Sequence, residues 1–118
     1  MATQIGHVHI KTNEDPQKVA KFYVDNFGAT VKQDIPGRGC QVDLAGLQLN
    51  ITTIIATQNH QQHTGIEHIA LQTDDYAGMT SKLKANGAKI LEELFNNGRH
   101  VCWVECPDGA QMEVIEKV

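Results

Sequence analysis

Apolar and polar positions alternate along two segments that begin alike. Ile5-Gly6-His7-Val8-His9-Ile10-Lys11-Thr12 aligns with Ile66-Glu67-His68-Ile69-Ala70-Leu71-Gln72-Thr73, with His68 standing 61 positions after His7. Period-two alternation of this length predicts a strand in each place. Acidic or amide residues suited to helix capping follow both: Asn13 to Asp15, then Asp74 and Asp75. The pattern then changes to a helical one. A first helix is expected from about Pro16 to Asn26, with Val19, Phe22, Tyr23 and Phe27 on its apolar face. A second is expected from about Tyr76 to Asn86, with Tyr76, Met79 and Leu83 facing inward. Gly28 and Gly87 are placed to end these helices in the left-handed conformation.

Three strand-like runs follow each helix. In the first half they are about Thr30–Ile35, Gly39–Leu44 and Leu47–Ile55; in the second, Lys89–Leu94, His100–Glu105 and Gln111–Glu116. Turn signals separate them: Pro36-Gly37, Gly46, Asn96-Asn97-Gly98 and Pro107-Asp108-Gly109. The predicted order is therefore βαβββ (about residues 1–58), a polar linker (about 57–64) and a second βαβββ (about 65–118). Neither half is large enough to bury much core alone. The expected fold class is α+β, one domain over residues 1–118, in which paired modules form an incomplete mixed β-barrel around a metal cavity with the helices outside.

The faces of these strands carry the chemistry. In Leu47-Gln48-Leu49-Asn50-Ile51-Thr52 the apolar and polar residues take opposite faces. His7 and His9 oppose Val8 and Ile10, and His68, Ala70 and Gln72 oppose Ile69 and Leu71. Met112-Glu113-Val114 corresponds to Leu49-Asn50-Ile51. Two related pairs result, His7 with His68 and Asn50 with Glu113. Two imidazoles and a carboxylate suit a divalent first-row metal, and with open positions they form the two-His, one-carboxylate set of non-haem Fe(II) oxygenases.

These residues carry a resemblance. Ile5-Gly6-His7-Val8, Ala20-Lys21-Phe22-Tyr23 ending at Phe27-Gly28, Glu67-His68-Ile69-Ala70, and Cys106-Pro107-Asp108-Gly109 leading to Met112-Glu113-Val114-Ile115 resemble the vicinal oxygen chelate superfamily. That group includes glyoxalase I, extradiol dioxygenases, methylmalonyl-CoA epimerase, and the fosfomycin and bleomycin resistance proteins. The resemblance covers essentially the whole chain and points to no one activity. It implies His7, His68 and Glu113 as metal ligands, and a small substrate that chelates the metal through neighbouring oxygens. The fourth ligand position, usually Glu or Gln in glyoxalase-like members, falls on Asn50, or on Gln48 if the alignment slips by two. Asn50 cannot accept a proton, so a carboxylate base expected for proton transfer is missing. Three ligands suffice for dioxygenase-like chemistry, which makes Fe(II) the favoured ion, with Ni, Co, Zn or Mn as alternatives. The competing readings are a glyoxalase- or epimerase-like lyase or isomerase, with Glu113 as both ligand and base, and a metal-free small-molecule binding protein of the bleomycin-resistance type. A homodimer is also implied by the resemblance.

Other residues fill in the picture. His9 and His100 are candidate acid–base or substrate-binding groups, His100 because the seventh strand could turn it toward the cavity. His60 and His63 lie in the linker and are expected to be solvated; Trp103 is expected to pack; Arg38 and Arg99 sit near turns as surface charges. The chain has 118 residues, 41% of them hydrophobic and 20% charged, with a formal net charge of -4, the profile of an ordinary globular protein. No basic stripe suggests a nucleic-acid partner, and no run of apolar residues is long enough to suggest a membrane span. Three cysteines, Cys40, Cys102 and Cys106, with no secretory pattern at the start of the sequence, lead to the expectation of reduced thiols in a cytoplasm.

Overall fold

The computed structural model describes residues 2–118. The elements run β1 (Thr3–Lys11), α1 (Pro16–Phe27), β2 (Thr30–Ile35), β3 (Gly39–Leu44), β4 (Leu47–Thr52), β5 (Gly65–Thr73), α2 (Tyr76–Ala85), β6 (Lys89–Asn96), β7 (Arg99–Glu105) and β8 (Gln111–Glu116). The repeated βαβββ order is therefore present. The strands of the first half lie in the order β2-β3-β4-β1 and those of the second in the order β5-β8-β7-β6, each a mixed sheet. The chain divides into two compact units, one of His7–Glu67 and the other of the residues up to Gly6 with His68–Val118.

In the first unit, β1 pairs parallel with β4, and β2, β3 and β4 form an antiparallel meander. Asp15 caps α1 by accepting from the Gln17 amide at 3.0 Å, Pro16 opens its first turn, and Gly28 ends it at φ 73°. Ile10, Ala20, Ala29, Cys40, Val42, Leu49 and Ile51 make the core, with Val19, Tyr23 and Val24 packed on it. Two of the aromatics assigned to this face lie elsewhere: Phe22 and Phe27 are 56% and 61% exposed. At about 100° per residue, Val19, Ala20, Tyr23 and Val24 define the buried stripe, and Phe22 falls about 60° to its side. Phe27 is the last helical residue. Both rings pack on Tyr23 instead, at centroid distances of 6.2 and 6.0 Å.

β4 stops at Thr52, short of the expected Ile55, because the chain leaves the ladder after Thr53 bonds Arg38. The Gln62 side chain then acts as a substitute strand. Its Oε1 accepts from the Ile55 amide at 3.0 Å, and its Nε2 donates to the Ile55 and Gln58 carbonyls at 2.9 and 3.0 Å. Gln58 is buried. The linker is thus tied by its own amides, a feature that hydropathy patterns do not register.

Gly39 packs so closely on β4 that a Cβ there would overlap the Ile51 carbonyl oxygen. The clash is with paired backbone, which cannot swing aside. Gly39→Ala is expected to destabilise by about 1–3 kcal/mol, the usual cost of overpacking, read from the midpoint of a denaturant melt.

In the second unit, β5 pairs parallel with β8, and β6, β7 and β8 form the matching antiparallel meander. Asp75 caps α2 by accepting from the Gly78 amide at 3.0 Å. Cys102, Val104 and Val114 form its core beneath Tyr76, Met79, Leu83, Ala88 and Ile90. Asn96 pairs with Arg99, so the β6–β7 turn is the two residues Asn97 and Gly98, at φ 52° and 78°. Positive φ at both centres is what a hairpin turn of this length demands.

Candidate functional site

In the His7–Glu67 unit, register lines up a polar row. His9, Asn50, Gln41 and Gln33 are successive cross-strand partners on β1, β4, β3 and β2. Directly opposed residues share a face, here the one opposite Ile10, Leu49, Ile51 and Val42. His9 is buried, with Nε2 2.7 Å from Thr52 Oγ1. His7 lies two residues along the same face, its ring edge-on to His9 at 5.9 Å. Gln33 Nε2 donates to Gln41 Oε1 at 2.8 Å, Lys32 Nζ to Gln48 Oε1 at 3.1 Å, and Gln48 Nε2 to Asn50 Oδ1 at 3.0 Å.

The other unit builds the equivalent row differently. Ala70, Glu113, Trp103 and Glu92 are successive partners on β5, β8, β7 and β6. Val8 pairs with Leu49 as Ile69 pairs with Met112, so Asn50 and Glu113 hold matching places in the two registers. His68 Nε2 lies 3.1 Å from Glu113 Oε1, with the two side chains 1% and 10% exposed. Trp103 is wholly buried, and its ring meets His68 edge-on at 6.3 Å and 88°. Trp103 thus walls the His68–Glu113 pair. Counting strand parity back from Glu113 through the Pro107–Gly109 turn would have placed it there. Gln111 was also missed: it is buried two residues before Glu113, as Gln48 precedes Asn50.

His100 does not share this face. In β7 the parity of the pleat puts Val101 and Trp103 on one side and His100, Cys102 and Val104 on the other, the side α2 covers. The expectation that His100 faces a cavity with Glu113 is therefore corrected. His100 stacks on Tyr76 at 5.4 Å and 22°, and its Nδ1 lies 2.9 Å from Glu116 Oε1. The same oxygen accepts from the His100 backbone amide at 2.9 Å. That backbone bond first, then the side-chain bond, holds the Glu116 carboxyl below the ordinary carboxylate range. A group depressed in the folded state contributes stability at higher pH that is lost as pH falls through its folded value. Carboxyl NMR titration should find the Glu116 midpoint below the ordinary value of 4.5, and nearer to it in His100→Ala.

The cysteines are free thiols. Burial pushes those of Cys40 and Cys102 up, so neither is an activated nucleophile.

A metal would fit the chemistry of the His68–Glu113 pair. Two ligands with bonds of about 2.1 Å at about 90° stand roughly 3 Å apart, close to the 3.1 Å between His68 Nε2 and Glu113 Oε1. An imidazole nitrogen and a carboxylate oxygen are an accepted donor set for first-row ions.

The family model of the Glyoxalase/Bleomycin resistance protein/Dioxygenase superfamily matches residues 4–114. The chain is 28% identical over 127 residues to the uncharacterized protein YwbC of Bacillus subtilis strain 168, covering 99% of this chain and 100% of that one. It is 28% identical over 116 residues to a probable lactoylglutathione lyase of Synechocystis, covering 86% and 87%. Among solved structures, methylmalonyl-CoA epimerase from Mycobacterium tuberculosis superposes with a TM-score of 0.63 at 17% identity, covering 97% of this chain and 87% of that one. At that identity the likeness speaks for the fold.

Proposed function

Because the chain belongs to the Glyoxalase/Bleomycin resistance protein/Dioxygenase superfamily, we propose that it is a metal-dependent enzyme acting on a small substrate with two neighbouring oxygens. His7, His68 and Glu113 are the proposed ligands of one divalent ion. The observation that carries this reading is the buried His68–Glu113 pair, whose spacing suits two adjacent ligands. The matching place of Asn50 carries the choice of chemistry. A carboxamide takes up no proton near neutral pH, so it supplies no base at the place that matches Glu113. With three protein ligands, the site keeps positions for a chelating substrate and for O₂, and Fe(II) is the favoured ion. Bound there, Fe(II) would supply the one-electron chemistry that lets O₂ react with an oxygen-chelating substrate. His9, held by Thr52, is the group proposed to exchange a proton with substrate, and the buried Trp103 would keep water from the His68–Glu113 side.

One observation favours a second reading, a glyoxalase-like lyase or isomerase: the resemblance to a probable lactoylglutathione lyase along most of both chains. There Glu113 serves as ligand and base. Oxygen separates the two. After anaerobic Fe(II) loading, addition of a catechol panel is expected to consume O₂ in an electrode cell. Turnover of a methylglyoxal–thiol adduct with no O₂ present, and no uptake with any catechol, would favour the lyase and count against the first reading.

A further inference from the structure

The carboxamides of the first unit have a polarity that one charge sets. Lys32 carries an ammonium, which donates and never accepts. The Gln48 atom 3.1 Å from Lys32 Nζ must therefore be its oxygen. That turns the Gln48 nitrogen toward Asn50, and the Asn50 atom 3.0 Å away must be an acceptor, its own oxygen. An amide is ordinarily assigned from its network; here the network is anchored at a group that allows one direction only. Asn50 Oδ1 is thereby occupied, and Asn50 Nδ2 has no partner among the described residues. Asn50 itself is half-buried, not sealed in the core.

We propose that Asn50 offers its N–H groups, not its oxygen, and so receives an oxygen acceptor of the substrate instead of binding the metal. The inference rests on the reading of this face as the substrate site. Donors accumulate around it. Gln41, directly opposite Asn50, has its oxygen engaged by Gln33, which leaves its nitrogen as a second donor. Lys32 adds a positive charge behind the relay. Asp43, opposite Gln48, turns its carboxylate into its own turn, where Oδ1 accepts from the Gly46 amide at 2.9 Å. The wall therefore suits the oxygen-rich, anionic end of a small molecule, a carboxylate or an enolate. The matching wall of the other unit carries Glu113 and Glu92 instead. The two halves of the repeat have diverged, one toward holding a cation and the other toward holding an anion.

The test uses Ni(II) and oxalate, whose oxygens only accept. In Asn50→Ala, Ni(II) affinity by calorimetry is expected to stay within about threefold of wild type. Oxalate affinity of the loaded protein is expected to fall roughly 10- to 100-fold, the cost of losing a hydrogen bond to a charged group. In wild type, the Asn50 side-chain amide protons should move downfield in ¹H–¹⁵N spectra as oxalate is added. Gln48→Glu supplies a variant that keeps Asn50. The new carboxylate can only accept, so Asn50 rotates, donates to it, and its protons cease to respond to oxalate. A tenfold or greater loss of Ni(II) affinity in Asn50→Ala would make Asn50 a ligand and overturn the proposal. So would unchanged oxalate affinity in that variant, or a wild type that does not bind oxalate. His68→Ala tests the metal reading separately. If wild type takes up no Ni(II), that reading fails, and the amide response of the metal-free protein to oxalate still decides this one.

Discussion

Glu113→Ala is expected to reduce divalent-metal affinity by more than about 100-fold, beyond the roughly 10- to 100-fold that loss of an outer partner costs a metal site. The residue is one half of a buried pair, 3.1 Å from His68 Nε2. Its removal takes away the only anionic ligand of the proposed set. What remains is neutral imidazole, and a divalent ion would then be held with its charge uncompensated in a buried place. Asn50→Ala, at the matching place in the other register, should leave metal affinity nearly unchanged. The contrast between two positions that the repeat makes equivalent is the informative result. Calorimetric titration with Ni(II) or Co(II) on both variants measures it. Equal losses would mean a four-ligand site and would reopen the glyoxalase-like reading.

Trp103→Ala is expected to destabilise the fold by about 3–5 kcal/mol, the range for truncating a fully buried large aromatic. Trp103 is wholly buried, pairs across β7 and β8 with Glu113, and meets the His68 ring edge-on. Its loss opens a cavity beside a polar pair, and water entering there would loosen both His68 and Glu113. The unfolding midpoint, followed by circular dichroism because the chain has only one tryptophan, should drop in keeping with that cost. Trp103→Phe keeps an aromatic edge and should lose less. A shift below about 1 kcal/mol for the alanine variant would show that the site does not depend on this wall.

Much of this architecture is legible in the chain itself. The repeat was visible because His7 and His68 head strands of the same alternation, each followed by capping residues and a glycine-terminated helix. Those local signals have local causes, and β2, β3, α1 and β8 lie where they predict, within a residue. Three features were misjudged for reasons that are not local. Phe22 is apolar at nearly helical spacing, but the sheet takes its contacts from a neighbouring stripe of α1, and Phe27 stands at the helix's last residue. Gln62 replaces a strand by bonding the backbone of Ile55, which no hydrophobicity pattern records. His100 lies on the face that α2 covers while Trp103, packed as expected, lies on the other, because one step of strand parity carries a side chain through the sheet. Of the site residues, the match of Asn50 with Glu113 follows from sequence offsets alone. The direction of the Asn50 amide does not, since it depends on Lys32, 18 positions earlier and on another strand.

The proposed chemistry requires that this chain hold a metal. Protein purified anaerobically and incubated with Fe(II), Ni(II) or Co(II), then freed of excess ion, can be assayed by elemental analysis beside His68→Ala. The expected result is about one divalent ion per wild-type chain and almost none in the variant. A wild type that retains no ion, or a His68→Ala protein that retains as much, would contradict the account.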